Sequence, residues 1–400
     1  MHQPISLTEQ PTWRDPRAIA LMIAASLTVM TAATISPALP GLERQFPETE
    51  INSFLVRMLV PAPSLAVVLF APFCGAMADR SGRRRMLLAG LVLFVLAGSV
   101  GLVLPSLPLI LVSRLALGVA LAMIMTAQSA LLGDYFSGNA LHKVSSGQVS
   151  ARNFGGLVFI LLAGLLAMIS PRLPFAIYAL PLLILPFFWR VIVEPQRQTT
   201  VAGVRNLPGA ETSRRLVILL ACGQMVVTML FFTMPTQLPF FLSAKGYSSP
   251  AMTGAALGML MLAGAVTALF YPRIRVRIGN DGNWACGFGL MATGFVLLVA
   301  SETEAAVFVG CAAIGAGYAL AIPGFVVLSL AATPPERRGR TGALLTGSVF
   351  LGQFLSPVLS SPALAQWGWH NSGLGLGTIL GFAAVVFAAT ALFSALRQLA

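Results

Sequence analysis

Twelve long apolar blocks, bounded by charge, proline or glycine, run along this chain. They predict helices near residues 18–40, 53–77, 86–104, 107–132, 145–169, 173–193, 215–242, 250–271, 284–301, 304–331, 340–361 and 372–396. A bilayer crossing takes about 20 mostly apolar residues, and each block is of that order. The blocks form two groups of six around one long polar stretch. The expected organisation is an N-terminal six-helix bundle over residues 1–193, a linker over 194–214 and a C-terminal six-helix bundle over 215–400. The fold class expected is therefore an all-α membrane protein, with twelve transmembrane helices arranged as two pseudo-symmetric six-helix bundles. The first block is too long for a signal-peptide core and lacks a basic lead-in and cleavage site, so it reads as a retained span.

Composition narrows the class. The chain has 400 residues, 57% of them hydrophobic and only 10% charged, against about a quarter charged in soluble domains. An ordinary soluble globule, a disordered chain and a disulfide scaffold are excluded. A net charge of +12 would suggest nucleic acid in a soluble protein. Here the cations instead sit in short clusters between apolar runs, at Arg80–Arg85, Arg273–Arg277 and Arg337–Arg340, with no basic face, so no nucleic-acid partner is expected. With the N-terminus inside, 19 of the 25 Lys and Arg residues fall in inner loops and tails, and only Arg44, Arg172 and Lys245 in outer loops. The positive-inside rule then places both termini in the cytoplasm, in a cell inner membrane. All five tryptophans lie at predicted helix ends, as interfacial anchors do. The four cysteines lie singly in apolar stretches and read as packing residues, with no metal or disulfide role.

The halves repeat. An offset of 197 residues superposes Arg80 and Gly82 on Arg277 and Gly279, Gly118 on Gly315, and Gly155 on Gly352. Together with six spans per half, this supports a duplicated unit.

Between the second and third spans the chain reads Gly75-Ala76-Met77-Ala78-Asp79-Arg80-Ser81-Gly82-Arg83-Arg84-Arg85. Gly75 would let a neighbouring helix approach closely, and Gly82 would permit a tight turn. Asp79 can pair with Arg83 or face a helix N-terminus. This Gly-x-x-x-Asp-Arg-x-Gly-Arg spacing resembles the loop signature of the major facilitator superfamily, in its drug- and metabolite-exporter-like branch. The resemblance covers the whole chain and includes a degraded second copy at Arg273–Gly279, with Val276 where Asp79 would align. It implies a conformational latch at Gly75, Asp79, Arg80, Gly82 and Arg83. It also implies a role for Arg114, followed by Gly118, in proton transfer. The family's antiporter motif is matched in part by Gly147 to Gly156, where Ala151 replaces a glycine and Arg152 the proline. Gly118, Gly147, Gly155 and Gly156 are the expected helix-packing positions.

Arg57, Arg114 and Arg152 are the ionisable residues inside predicted spans, and every acid lies in a tail, loop or helix end. An arginine at a helix centre costs about 2.5–3.5 kcal/mol on insertion scales. Arg57 could reach outward to water near Glu48 and Glu50. Arg114 and Arg152 could pack on helix-end carbonyls or line a cavity. A cavity role would make the pocket electropositive and favour an anionic or zwitterionic substrate. A proton carrier would then have to be Asp79, Asp134 or the substrate itself. Further cavity candidates are Thr31, Thr34, Gln128, Gln148, Asn153, Gln224, Thr228, Gln237, Tyr318 and Gln353, each of which could equally serve interhelical hydrogen bonding. Prolines at 37–40, 235–239 and 323 suit gating segments or static kinks.

The function expected is secondary transport by alternating access, as proton-coupled efflux of a small organic compound. The alternative is a facilitator or importer of an organic anion without proton antiport. A membrane enzyme would need a nucleophile, metal cluster or carboxylate pair in the bilayer. A primary pump would need a phosphate-binding loop. Neither pattern is present, so no enzymatic activity, cofactor or metal is expected. Partners are the substrate, protons and the bilayer, and the chain reads as a monomer.

Overall fold

The computed structural model describes residues 15–194, 214–300, 302–334 and 337–399. The described residues form twelve α-helices, with three short 3-10 turns between them: α1 (Pro16–Ala33), α2 (Leu39–Glu43), α3 (Glu50–Met58), α4 (Ala62–Ser81), α5 (Arg83–Ser99), α6 (Leu107–Tyr135), α7 (Gly138–Ile169), α8 (Leu180–Val191), α9 (Arg214–Ala244), α10 (Pro250–Ala300), α11 (Glu304–Ala331) and α12 (Arg338–Leu399). Local chemistry sets the starts and breaks. Asp15 caps α1 by accepting from the Arg17 amide at 2.8 Å. Thr49 does the same for α3 through the Asn52 amide, and Thr303 for α11 through the Ala306 amide.

The predicted span at 18–40 is interrupted at residues 34–38, where Pro37 lacks an amide hydrogen to continue the ladder. The predicted span at 53–77 bends by 53° between α3 and α4. Counting that bent pair as one, ten segments among the described residues are long and apolar enough to cross a membrane. Two of them, in α10 and α12, are far longer than the roughly 20 residues one crossing needs. Gly279 (φ 72°) divides the first and Gly368 (φ 73°) the second, which accommodates twelve crossings.

The duplication is visible in packing. Gly82 and Gly279, 197 residues apart, both adopt positive φ at the turn between adjacent spans. A Cβ on Gly118 would lie 2.3 Å from the Pro63 carbonyl oxygen, and one on Gly315 would lie 2.0 Å from that of Leu260. So α6 crosses α4 as α11 crosses the first arm of α10. Gly155 packs α7 on Ser26 of α1, and Gly352 packs α12 on Met225 of α9. Gly147 and Gly156 sit in close contact with Met22 and Val29. Gly75 differs from expectation. Beyond its own helix backbone, no described atom lies within 4 Å of the place its Cβ would occupy, so no neighbouring helix makes a close approach there.

One buried core gathers residues of α1–α8 and takes in Phe232 and Phe240 of α9. A second gathers residues of α9–α12 and takes in Ala33 and Ile160. The molecule's exterior stays apolar: Leu183, Ile169 and Phe382 are 78%, 77% and 73% exposed. Such a surface would aggregate in water but suits lipid, where apolar contact costs nothing.

Candidate functional site

Two faces of the bundle can be told apart by their loops. One carries the Gly82 and Gly279 turns and the basic loop entering α12, and is rich in arginine. The other carries residues 44–49, 170–172 and 245–249. The two bundles touch toward the second face. Ser36 Oγ donates to the Pro235 carbonyl, Arg44 Nη2 to Ser243 Oγ at 3.2 Å, and Ser64 Oγ to Gln353 Oε1 at 2.6 Å. The Arg57 guanidinium lies 4.8 Å from the Phe240 ring centre. Small residues bring α7 and α10 together there as well, since a Cβ on Gly254 would come within 2.9 Å of the Ile160 carbonyl oxygen.

Between the bundles lies a cavity of ≈ 690 Å³ that reaches Leu330 and Gly342, near the arginine-rich face. Thr28 and Thr31 of α1, Arg152 and Asn153 of α7, Gln224 of α9, Tyr318 of α11, and Thr346 and Gln353 of α12 supply its polar lining. Phe231 forms an aromatic slab with Tyr318, their rings stacked 4.0 Å apart at 20°. The Tyr318 hydroxyl is 3.3 Å from Thr228 Oγ1. Pro235 and Pro323, from two of the proline-broken stretches, also line it. No Asp, Glu or His is among the described lining residues. Arg152 is the lining cation, and its Nε is buried without a hydrogen-bond partner among the described residues. Thr31, Arg152, Asn153, Gln224, Tyr318 and Gln353, all cavity candidates from the sequence, thus lie around one cavity.

Seven cavity candidates lie outside this lining, among them Thr228, which reaches the Tyr318 hydroxyl from behind the wall. Arg114 is fully buried away from the cavity. Its Nη2 donates to the Gly98 carbonyl at 3.0 Å, one of the carbonyls left free at the end of α5. Its guanidinium lies 4.8 Å from the Phe175 ring centre and 4.6 Å from that of Tyr178. Tyr178 in turn donates to the carbonyls of Met30 and Thr31. Two desolvated cation–π contacts at about 1–2 kcal/mol each work against an insertion cost of about 2.5–3.5 kcal/mol, while Nε and Nη1 of Arg114 are buried without a hydrogen-bond partner among the described residues. Arg57 stands at the bundle contact, not in the cavity. Gln128 and Thr34 are buried off the cavity. Gln237 turns the other way, into the C-terminal bundle, and donates to Ser360 and Ser361. Gln148 is likewise buried, donating to the Leu21 carbonyl at 3.4 Å.

At the arginine-rich face the Gly82 turn is tied down. Arg83 forms an ion pair with Asp134 at the end of α6. The side chain of Asp79 lies outside the described residues, and Arg80 is exposed. Glu194 accepts from the backbone amides of Arg83 at 2.7 Å and Arg84 at 2.9 Å. It occupies the positive N-terminus of α5, which Gly82 has no side chain to cap. Arg84 donates to the Trp189 carbonyl at 2.8 Å and stacks on that ring, while Tyr135 Oη donates to the Val193 carbonyl. From the sequence alone Glu194 only opens the polar linker. Its only signal was that an acid follows directly on the sixth apolar block.

A sequence profile described as Major Facilitator Superfamily matches residues 21–301 and 249–397. The quinolone resistance protein NorA of Staphylococcus aureus (strain MRSA252) is 22% identical over 319 residues, covering 76% of this chain and 79% of the relative. The multidrug resistance protein Stp of Mycobacterium tuberculosis (strain ATCC 25618 / H37Rv) is 22% identical over 413 residues, covering 87% and 75%. In fold, the chain is similar to the crystal structure of a D-xylose-proton symporter, with TM-score 0.75, 16% identity and coverage of 93% and 96%. It is also similar to a bacterial homologue of the human lysosomal transporter Spinster, captured inward-facing and occupied, with TM-score 0.72, 15% identity and coverage of 96% and 97%.

Proposed function

The chain belongs to the Major Facilitator Superfamily, a family of membrane transporters, and from that premise we propose that it exports a small organic anion or zwitterion by proton-coupled alternating access. The observation that carries this reading is the cavity between the bundles, whose described lining offers one guanidinium and no carboxylate. A cation held in a low-dielectric cleft favours a negatively charged guest. The stacked Phe231 and Tyr318 add an aromatic wall for an apolar or ring-bearing body.

The arginine-rich face is taken as cytoplasmic, with both termini on that side of an inner membrane. The cavity then reaches toward the cytoplasm while the contacts at Ser36, Arg44, Arg57 and Ser64 close the outer side. That arrangement suits loading from within, and relatives named for quinolone and multidrug resistance favour export. Residues 1–193 and 215–400 serve as the two rocking units, joined by the linker at 194–214, and the chain works as a monomer. The latch consists of Gly75, Asp79, Arg80, Gly82 and Arg83, to which the geometry adds Asp134 and Glu194. The proton is carried by the substrate or by the latch acids.

A second reading, a facilitator or importer of an organic anion without antiport, is favoured by the lack of a carboxylate in that lining. Uptake into everted membrane vesicles, with and without an imposed pH gradient, separates the two. Gradient-driven accumulation is the expected result, and flux indifferent to the gradient would leave the second reading.

A further inference from the structure

Helix α9 is a wall of two cavities. Gln224, Phe231 and Pro235 face the central one. Thr233, Met234, Gln237 and Phe241 face a separate pocket of ≈ 250 Å³ inside the C-terminal bundle. That lateral pocket lies between α9, residues 295–299 of α10 and the two arms of α12 that meet at Gly368. Its rim carries Leu359, Trp367 and Ile379, each more than half exposed on the apolar exterior. The mouth therefore opens sideways, toward lipid.

The pocket's chemistry differs from that of the central cavity. No charged residue is among its described lining, and its walls are mostly apolar. Yet its depth holds polar groups that a hydrocarbon would leave unused. Gln237 is 2% exposed and donates through Nε2 to Ser360 Oγ at 3.0 Å and Ser361 Oγ at 2.9 Å. Ser356 is fully buried, and its Oγ has no hydrogen-bond partner among the described residues. A buried hydroxyl left unpaired is costly, and a guest with one hydrogen-bonding group would satisfy it. An apolar cavity of about 150 Å³ holds benzene, so this one has room for a single substituted ring.

We propose that the lateral pocket is a second binding site, for an uncharged, membrane-dissolved molecule built as one alkyl-substituted ring with a hydroxyl group. The site is independent of the transport reading, because nothing in it depends on what crosses the central cavity. Its depth engages the hydroxyl through Ser356, and its rim holds the alkyl chain.

Trp367 and Trp369 line the pocket, which gives a direct probe. Full-length protein in lipid nanodiscs is titrated with 2-bromo-4-butylphenol, whose bromine quenches tryptophan fluorescence on contact. Saturable quenching is expected, reversed by excess 4-butylphenol and abolished in Ala363→Phe, which fills the pocket. Ser356→Ala, and the methyl ether of the probe on the wild type, should each bind about two- to tenfold more weakly, the effect of one hydrogen bond. Quenching that rises without saturation, or that 4-butylphenol does not reverse, would overturn the site; this arm uses only the unaltered chain. Equal affinity for the phenol and its ether would overturn the assignment of the hydroxyl and leave a plain hydrocarbon pocket.

Discussion

Arg114 and Arg152 show how far single residues carry function. The sequence places both inside apolar spans and shows no acid to match them. It does not show which way either points. In a soluble helix the apolar stripe marks the buried face. In a membrane helix the lipid face and the core face are both apolar, so that marker is lost. The structure separates them: Arg114 is fully buried against the Gly98 carbonyl and the rings of Phe175 and Tyr178, while Arg152 lines the cavity between the bundles. The same loss of periodicity hid the inward turn of Phe231 and the sideways turn of Gln237. Arg152→Gln is expected to weaken binding of an anionic substrate about tenfold or more, from loss of a charge-assisted hydrogen bond, and Arg152→Lys less. Equilibrium binding of one ring carboxylate and its neutral amide to each variant checks this. A wild-type chain that does not distinguish acid from amide would remove Arg152 from substrate recognition.

At the scale of elements, punctuation was legible and docking was not. Proline and glycine act locally through backbone geometry, so the turns at Gly82 and Gly279 and the break near Pro37 could be read from composition alone. Glu194 acts across 111 residues, and no local rule announces such a partner. Its carboxylate takes the place of a side-chain cap at the N-terminus of α5, fastening the end of α8 to the Gly82 turn. Glu194→Ala is expected to lower stability by about 1 kcal/mol, the usual worth of a helix cap, with only a small effect on substrate affinity. Thermal unfolding of the purified variant checks the first expectation, and a ligand titration the second. An unchanged unfolding temperature would mean that solvent caps α5 equally well.

The whole molecule is a duplication whose two copies meet on one face and part on the other. The repeat was readable from the 197-residue offset because close-packed glycines are constrained by backbone contact. The asymmetry between faces was not, since it depends on how the two bundles sit against each other, which no local rule sets. If the bundles rock, the contacts Ser36–Pro235, Arg44–Ser243 and Ser64–Gln353 must break when Gly75 and the free face of Gly342 come under cover. Exposed sites suit paired spin labels in a cysteine-free background: Ser81 with Arg340 across the arginine-rich face, and Glu48 with Ser248 across the other. Distance distributions for both pairs, recorded across a pH range and with a bound anion, test alternating access directly. The expected result is a second population in which the Ser81–Arg340 distance shortens as the Glu48–Ser248 distance lengthens. Distances that stay fixed in every condition, or that change in the same direction, would contradict it.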